Sequence, residues 1–126
     1  MKTIITTNKA PQPIGPYSQA VLVGSTLYTS GQIALHPETG KLVTDSITEE
    51  TTQVMNNLKV VLEAADMTFE NVIKASIFIS DMNSFAAINT IYGQYFEEAT
   101  APARETVEVA NLPKYVNVEI SVIAVK

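Results

Sequence analysis

Cysteine is absent from this 126-residue chain, and histidine and arginine occur once each. With no cysteine there are no disulfides, no thiolate metal sites and no cysteine nucleophile. Histidine-based chemistry is equally confined. His36 sits in Leu35-His36-Pro37-Glu38-Thr39-Gly40, which reads as a surface turn, with no residues nearby that complete a triad or a metal ligand set. The G-x-S-x-G, P-loop, dinucleotide and H-E-x-x-H signatures are all missing. Positive charge is scarce, with 8 Lys and Arg against 13 Asp and Glu, a net charge of -5. A chain with scattered bases and a pI near 4.7 lacks the electrostatic footprint of a nucleic-acid binder. No apolar run approaches a membrane span, so no membrane partner is expected. The N-terminal Met1-Lys2-Thr3-Ile4-Ile5-Thr6 lacks a signal-peptide core and cleavage site, which predicts a cytoplasmic protein. What chemistry remains must run on Arg, Glu, Tyr, Ser, Asn and backbone groups, without a metal or organic cofactor.

The length fits one domain over residues 1–126, and 46% hydrophobic against 17% charged residues is a globular composition. Residues 3–6 suit a short edge strand, followed by the stiff connection Pro11-Gln12-Pro13-Ile14-Gly15-Pro16. Tyr17–Val23 and Thr26–Ala34 read as strands joined by a Gly24-Ser25 hairpin turn. Ser46-Ile47-Thr48-Glu49 has the pattern of a capping box, and Val54, Leu58, Val61, Leu62 and Ala65 form the apolar stripe of a helix. Val72–Ile79 is the next strand, with Ile73, Ala75, Ile77 and Ile79 on one face. A second helix follows with the stripe Phe85, Ile88, Tyr92, Tyr95 and Phe96. Strands near Glu105–Val109 and Tyr115–Val125 end the chain. The expected order is β, β, β, α, β, α, β, β.

Two helices cover one face of such a sheet and leave the other open. In the last strand Val116, Val118, Ile120 and Val122 alternate with Tyr115, Asn117, Glu119, Ser121 and Ile123. The second set mixes polar and apolar character, as expected of a subunit interface, and predicts a homo-oligomer with sites where subunits meet. A monomer with a solvated sheet face is the alternative.

Arg104 stands out because every other basic residue is a lysine. Only its planar fork grips a carboxylate with two parallel hydrogen bonds; a surface or interface ion pair is the plainer use. In a strand, Arg104 shares a face with Thr106 and Glu108, while Glu105 points away. Helical spacing places Asn89 between Phe85 and Phe96, within the apolar stripe, where it either bonds sheet backbone or meets a ligand. Glu119 is a carboxylate inside a β-forming run, catalytic or simply solvent-facing. Tyr17 after Gly-Pro suits a cleft rim, and Thr29-Ser30-Gly31 suits a bulge whose glycine lets another group approach closely.

Taken together, Ile14-Gly15-Pro16-Tyr17-Ser18-Gln19-Ala20, Thr29-Ser30-Gly31-Gln32-Ile33, Pro102-Ala103-Arg104, Leu112-Pro113 and Val118-Glu119-Ile120 resemble the RidA/YjgF family of imine deaminases from about residue 3 to the C-terminus. The resemblance implies an α+β, chorismate-mutase-like single domain, with a mainly antiparallel sheet of about six strands and two helices on one face. It also implies a homotrimer with ligand clefts between subunits. Arg104 matches the arginine that holds the substrate carboxylate, and Glu119 the acid associated with the attacking water. Tyr17, Ser30, Gly31 and Asn89 match residues lining or shaping the cleft. Thr106 stands where many members have cysteine, so a thiol is not required here, while a backbone contact from that position survives. Glu105 replaces a usually small residue and is expected to alter packing or substrate range. The implied activity is hydrolysis of 2-imino acids, tautomers of 2-aminoacrylate and 2-aminocrotonate, to 2-oxo acids and ammonia. The alternative is a non-enzymatic 2-oxo acid sensor or interaction protein. Family members have also been described as ribonucleases or translation inhibitors, a reading the acidic pI weighs against.

Overall fold

The computed structural model describes every residue from Met1 to Lys126. Its strands are β1 (Lys2–Ile5), β2 (Ala20–Val23), β3 (Thr26–Thr29), β4 (Val72–Ile79), β5 (Ala103–Glu108) and β6 (Val118–Val125). Its helices are α1 (Ile47–Ala64) and α2 (Phe85–Gly93). The strands form one sheet in the order β1-β2-β3-β6-β4-β5. Only the β4–β5 pair is parallel. That parallel pair is joined by a crossover through α2, as parallel neighbours require. The element order is the one the sequence predicts.

β6, between β3 and β4, carries the core. Val118, Ile120, Val122 and Ala124 are buried, and pack with Ala75, Ile77 and Ile79 of β4 beneath Val54, Leu58, Val61 and Leu62 of α1 and Ile88 and Tyr92 of α2. The Ser46 side chain accepts from the Glu49 amide at the start of α1, which is the N-cap half of the expected box. Gly24 takes the positive φ its hairpin position demands.

Several boundaries differ from expectation. The first long strand is cut to Ala20–Val23, since the residues before it belong to the Pro-rich connection. The second stops at Thr29, and pairing with β6 resumes only at Gln32↔Ile120, one residue out of register with Tyr28↔Ile123. The Thr29 hydroxyl spans the gap, accepting from the Val122 amide at 2.9 Å and facing the Val122 carbonyl at 3.3 Å. This is the bulge expected at Thr29-Ser30-Gly31. In β4 a register shift between Val72 and Lys74 turns Val72 into the core and leaves Ile73 53% exposed, against the regular alternation expected. α2 ends at Gly93, so Tyr95 and Phe96 reach the core from the segment that follows it. β6 starts at Val118, because Lys114 and Tyr115 both adopt positive φ in the turn before it.

The residue that fixes β6 is Glu50 of α1, fully buried. One carboxylate oxygen accepts from the Asn117 amide at 2.7 Å and the Val118 amide at 3.1 Å, and the other from Asn117 Nδ2 at 2.7 Å. A buried charge is tolerated when such donors satisfy it. Glu50→Ala leaves two backbone amides without partners, and is expected to lower the free energy of urea unfolding by about 3 kcal/mol. A loss under ~1 kcal/mol would show that the clamp is dispensable.

Candidate active site

The Thr29-Ser30-Gly31 bulge opens one wall of a cleft of about 850 Å³, whose lining includes Tyr17, Ser30, Gly31, Lys114 and Glu119. Glu119 pairs with Phe78 and so lies on the open face of the sheet, opposite the helices. Its carboxyl group rests directly against Gly31: a Cβ built there would fall 2.8 Å from both Cδ and Oε2. A side chain at this position would displace the Glu119 carboxyl group, while the backbone conformation itself does not call for glycine. Partial burial pushes the Glu119 carboxyl above its usual range, and it makes no ion pair within the chain. Ser30 Oγ donates to the Ser18 carbonyl at 2.6 Å and ties the bulge to the residues before β2. The Tyr17 ring is half exposed at the rim.

Arg104 lies elsewhere. It pairs with Ala75 on edge strand β5 and thus points to the helix side of the sheet, the opposite side from Glu119. Its guanidinium sits over the rings of Tyr92 and Phe85, 5.0 and 5.7 Å from their centroids. Nη1 donates to Asn89 Oδ1 at 2.6 Å. Asn89, Tyr92 and Arg104 border a second depression of about 530 Å³ that also includes Phe96, Glu98, Ala101 and Pro102. The only ion pair within the chain is Lys74–Glu105 at 2.6 Å. The single arginine therefore makes no ion pair within the chain.

Asn89 differs from its expected place. It is exposed beside Arg104 rather than inside the apolar stripe, because the short α2 rolls Ile88, Ile91 and Tyr92 into the core instead. Thr106 shares the Arg104 face, and its buried hydroxyl has no hydrogen-bond partner. Glu105 does point the other way, where Lys74 and then Ser76 hold its carboxyl below the usual range. His36 is a turn residue as expected, its Nδ1 facing the Glu38 amide at 3.2 Å, although it also borders the larger cleft.

Within one chain the expected residues thus fall into two groups. Tyr17, Ser30, Gly31 and Glu119 gather at the cleft, and Asn89, Arg104 and Thr106 gather at the edge of the sheet. The aromatic seat under Arg104 was not anticipated. Phe85 and Tyr92, seven residues apart on a helix, are as consistent with core packing as with a cation seat. Only the placement of β5 against α2 tells them apart.

The raised Glu119 pKa fixes a sign. Ionising a half-buried carboxylate opposes folding above the folded-state pKa, whereas well below the unfolded value of about 4.3 both states hold the proton and the cost vanishes. Glu119→Gln is therefore expected to raise the urea midpoint at pH 7–8, with the difference from wild type closing as pH falls towards ~4. A gain that persists unchanged at low pH would show that the carboxylate charge is not its source.

A family model described as endoribonuclease L-PSP matches residues 7–126. A goat (Capra hircus) protein named 2-iminobutanoate/2-iminopropanoate deaminase is 48% identical over 126 residues, covering 100% of this chain and 91% of that protein. The crystal structure of YyfA from Yersinia pestis, described as of the conserved Rid protein family, superposes with a TM-score of 0.96 at 46% identity over 100% of both chains. The Escherichia coli TdcF structure with bound serine gives 0.92 at 43% identity over 98% of each. By sequence and by fold, this chain belongs to the RidA/YjgF family.

Proposed function

We propose that the protein hydrolyses short 2-imino acids, the tautomers of 2-aminoacrylate and 2-aminocrotonate, to 2-oxo acids and ammonia in the cytoplasm. The observation that carries this reading is Arg104: a solitary arginine, seated on two rings, bonded to a neutral amide and lacking any carboxylate partner. Such a group is poised for a carboxylate from outside the chain. The relative named as an imine deaminase and the serine-bound TdcF structure support an α-carboxylate ligand.

In this reading Arg104 fixes the carboxylate, and the protonated imine presents an electrophilic carbon to a water held by Glu119. The water oxygen bonds to C2 as the C=N π pair moves to nitrogen and Glu119 takes one water proton. Glu119 returns that proton to the nitrogen, and the C2–N bond then breaks to release ammonia as the remaining hydroxyl proton passes to water and C=O forms. A carboxyl lifted by burial is suited to receiving and returning that proton. Ser30 and the Gly31 backbone line the ligand's path, Tyr17 closes the rim, and neither metal nor organic cofactor takes part. Arg104 and Glu119 face opposite sides of the sheet, which supports a site completed by a second copy, and the proposed assembly is a homotrimer with clefts between subunits, as the family resemblance implies. The open face supports such an assembly, for it exposes Ile4, Val23, Tyr28 and Val107. A sensor that only binds 2-oxo acids would use Arg104 but not Glu119.

The first test generates 2-aminocrotonate with a threonine dehydratase and follows release of 2-oxobutanoate. Wild type is expected to accelerate release, and Arg104→Ala and Glu119→Ala to lower the catalysed rate at least about 100-fold. Equal activity in Arg104→Ala would reject the reading, and 2-oxobutanoate binding without acceleration would favour the sensor. The second test mixes the two inactive variants after dissociation. If each site draws Arg104 and Glu119 from different chains, random reassembly restores about a quarter of wild-type sites. No recovery would place both residues of a site in one chain.

A further inference from the structure

We infer that Tyr92 and Phe85 are positioning residues that hold the Arg104 guanidinium in one orientation, with its Nε–Nη2 edge turned out for the ligand carboxylate. This inference rests on the reading of Arg104 as the carboxylate anchor, and adds what keeps the anchor in place.

An arginine on an edge strand has a long, rotatable side chain and water on one side, so by itself it samples many rotamers. Three contacts restrict Arg104. The Tyr92 and Phe85 rings lie beneath its Cζ at 5.0 and 5.7 Å, within the range of a cation–π attraction. Asn89 Oδ1 takes a proton from Nη1. The rings fix the plane and Asn89 fixes rotation within it, so Nε and Nη2 are the edge without a protein partner. The rings are themselves packed against the core. Tyr92 is 5% exposed, belongs to the core and stacks on Phe96 at 4.7 Å between centroids, while Phe85 packs against the core from the first residue of α2. Core packing alone would seat these rings anywhere along the helix stripe. Their convergence under the only arginine is what points to a function.

The Tyr92 hydroxyl is buried without a hydrogen-bond partner, so the ring rather than the hydroxyl carries the effect. This separates the two parts of the side chain experimentally. Tyr92→Phe keeps the seat and Tyr92→Leu removes it. A further pair, phenylalanine against pentafluorophenylalanine at position 92, keeps a ring in place while abolishing the electron-rich face.

The solitary arginine also makes the test direct, because the ¹H–¹⁵N spectrum contains a single arginine Nε–H resonance. In wild type and Tyr92→Phe this resonance is expected to be displaced by ring currents, and 2-oxobutanoate to bind with affinities within about twofold of each other. In Tyr92→Leu and Phe85→Leu the displacement shrinks and affinity falls about five- to tenfold, with the thermal midpoint of the pentafluoro variant matching that of Tyr92→Phe while its affinity also falls. Unchanged affinity and resonance in the folded Leu variants, or unchanged affinity in the folded pentafluoro variant, would overturn the inference. If wild type binds no 2-oxobutanoate, the anchor reading fails, and the resonance still decides whether the rings orient Arg104.

Discussion

A carboxylate from α1, buried among apolar side chains, holds the start of the central strand. Glu50 accepts from the Asn117 and Val118 amides and the Asn117 side chain, and Glu119 is the next residue along. β6 pairs with both β3 and β4, so its position sets the register of the sheet on either side. Glu50 belongs to a set of buried polar side chains that use backbone groups in the same way. Asn57 donates to the carbonyls of Ile33 and Leu35 at 3.1 and 3.0 Å, just past the bulge. Gln19 accepts from the Thr7 amide at 2.7 Å and donates to the carbonyls of Thr7 and Pro11 at 2.9 and 3.0 Å. Each pins a different wall of the larger cleft: the strand that bears Glu119, the segment after Gly31 and the Pro-rich connection. Irregular backbone cannot satisfy itself as a helix or ladder does, and these three side chains supply the missing partners.

This organisation explains which parts of the fold were legible in the sequence. α1 shows its apolar stripe without interruption, and β6 alternates along its whole length, so periodicity alone describes them. The bulge at Ser30-Gly31 was foreseeable because glycine inside a strand pattern marks a close approach. The shift at Ile73 was not, since Val72 and Ile73 are equally apolar and only pairing with β6 decides which turns inward. Glu50 was hidden for a related reason. In the first turn of a helix it reads as a favourable charge near the positive end of the dipole, and nothing local reveals a strand arriving at its carboxylate. Long-range contacts between residues 67 and 68 positions apart leave no periodic trace.

The candidate site residues stand out one by one in the sequence, but their geometry does not. Family resemblance picked out Arg104, Glu119, Tyr17, Ser30, Gly31, Asn89 and Thr106. Strand alternation correctly separated Arg104 from Glu105, but alternation within β5 and within β6 does not relate the two strands to each other. That relation passes through β4, whose residues Ala75 and Phe78 pair with Arg104 and Glu119 respectively. Three residues apart on one strand, they face opposite ways. The same topology brings the Arg104 side chain to α2, through which the parallel β4–β5 connection passes.

The separation has a chemical consequence. Were Arg104 and Glu119 neighbours on one face of the same chain, they would form an ion pair. The arginine would be occupied, and its charge would draw the Glu119 carboxyl down, away from the range useful for proton transfer. Placing the sheet between them avoids both effects. Arg104 keeps an unpartnered edge on its aromatic seat, and Glu119 keeps a carboxyl raised by burial against Gly31. In the site proposed between two copies, the two charges approach each other only across the ligand. The carboxylate of that ligand then neutralises the guanidinium before it can act on Glu119. A split site of this kind preserves an acid and an anchor of opposite charge without letting them cancel.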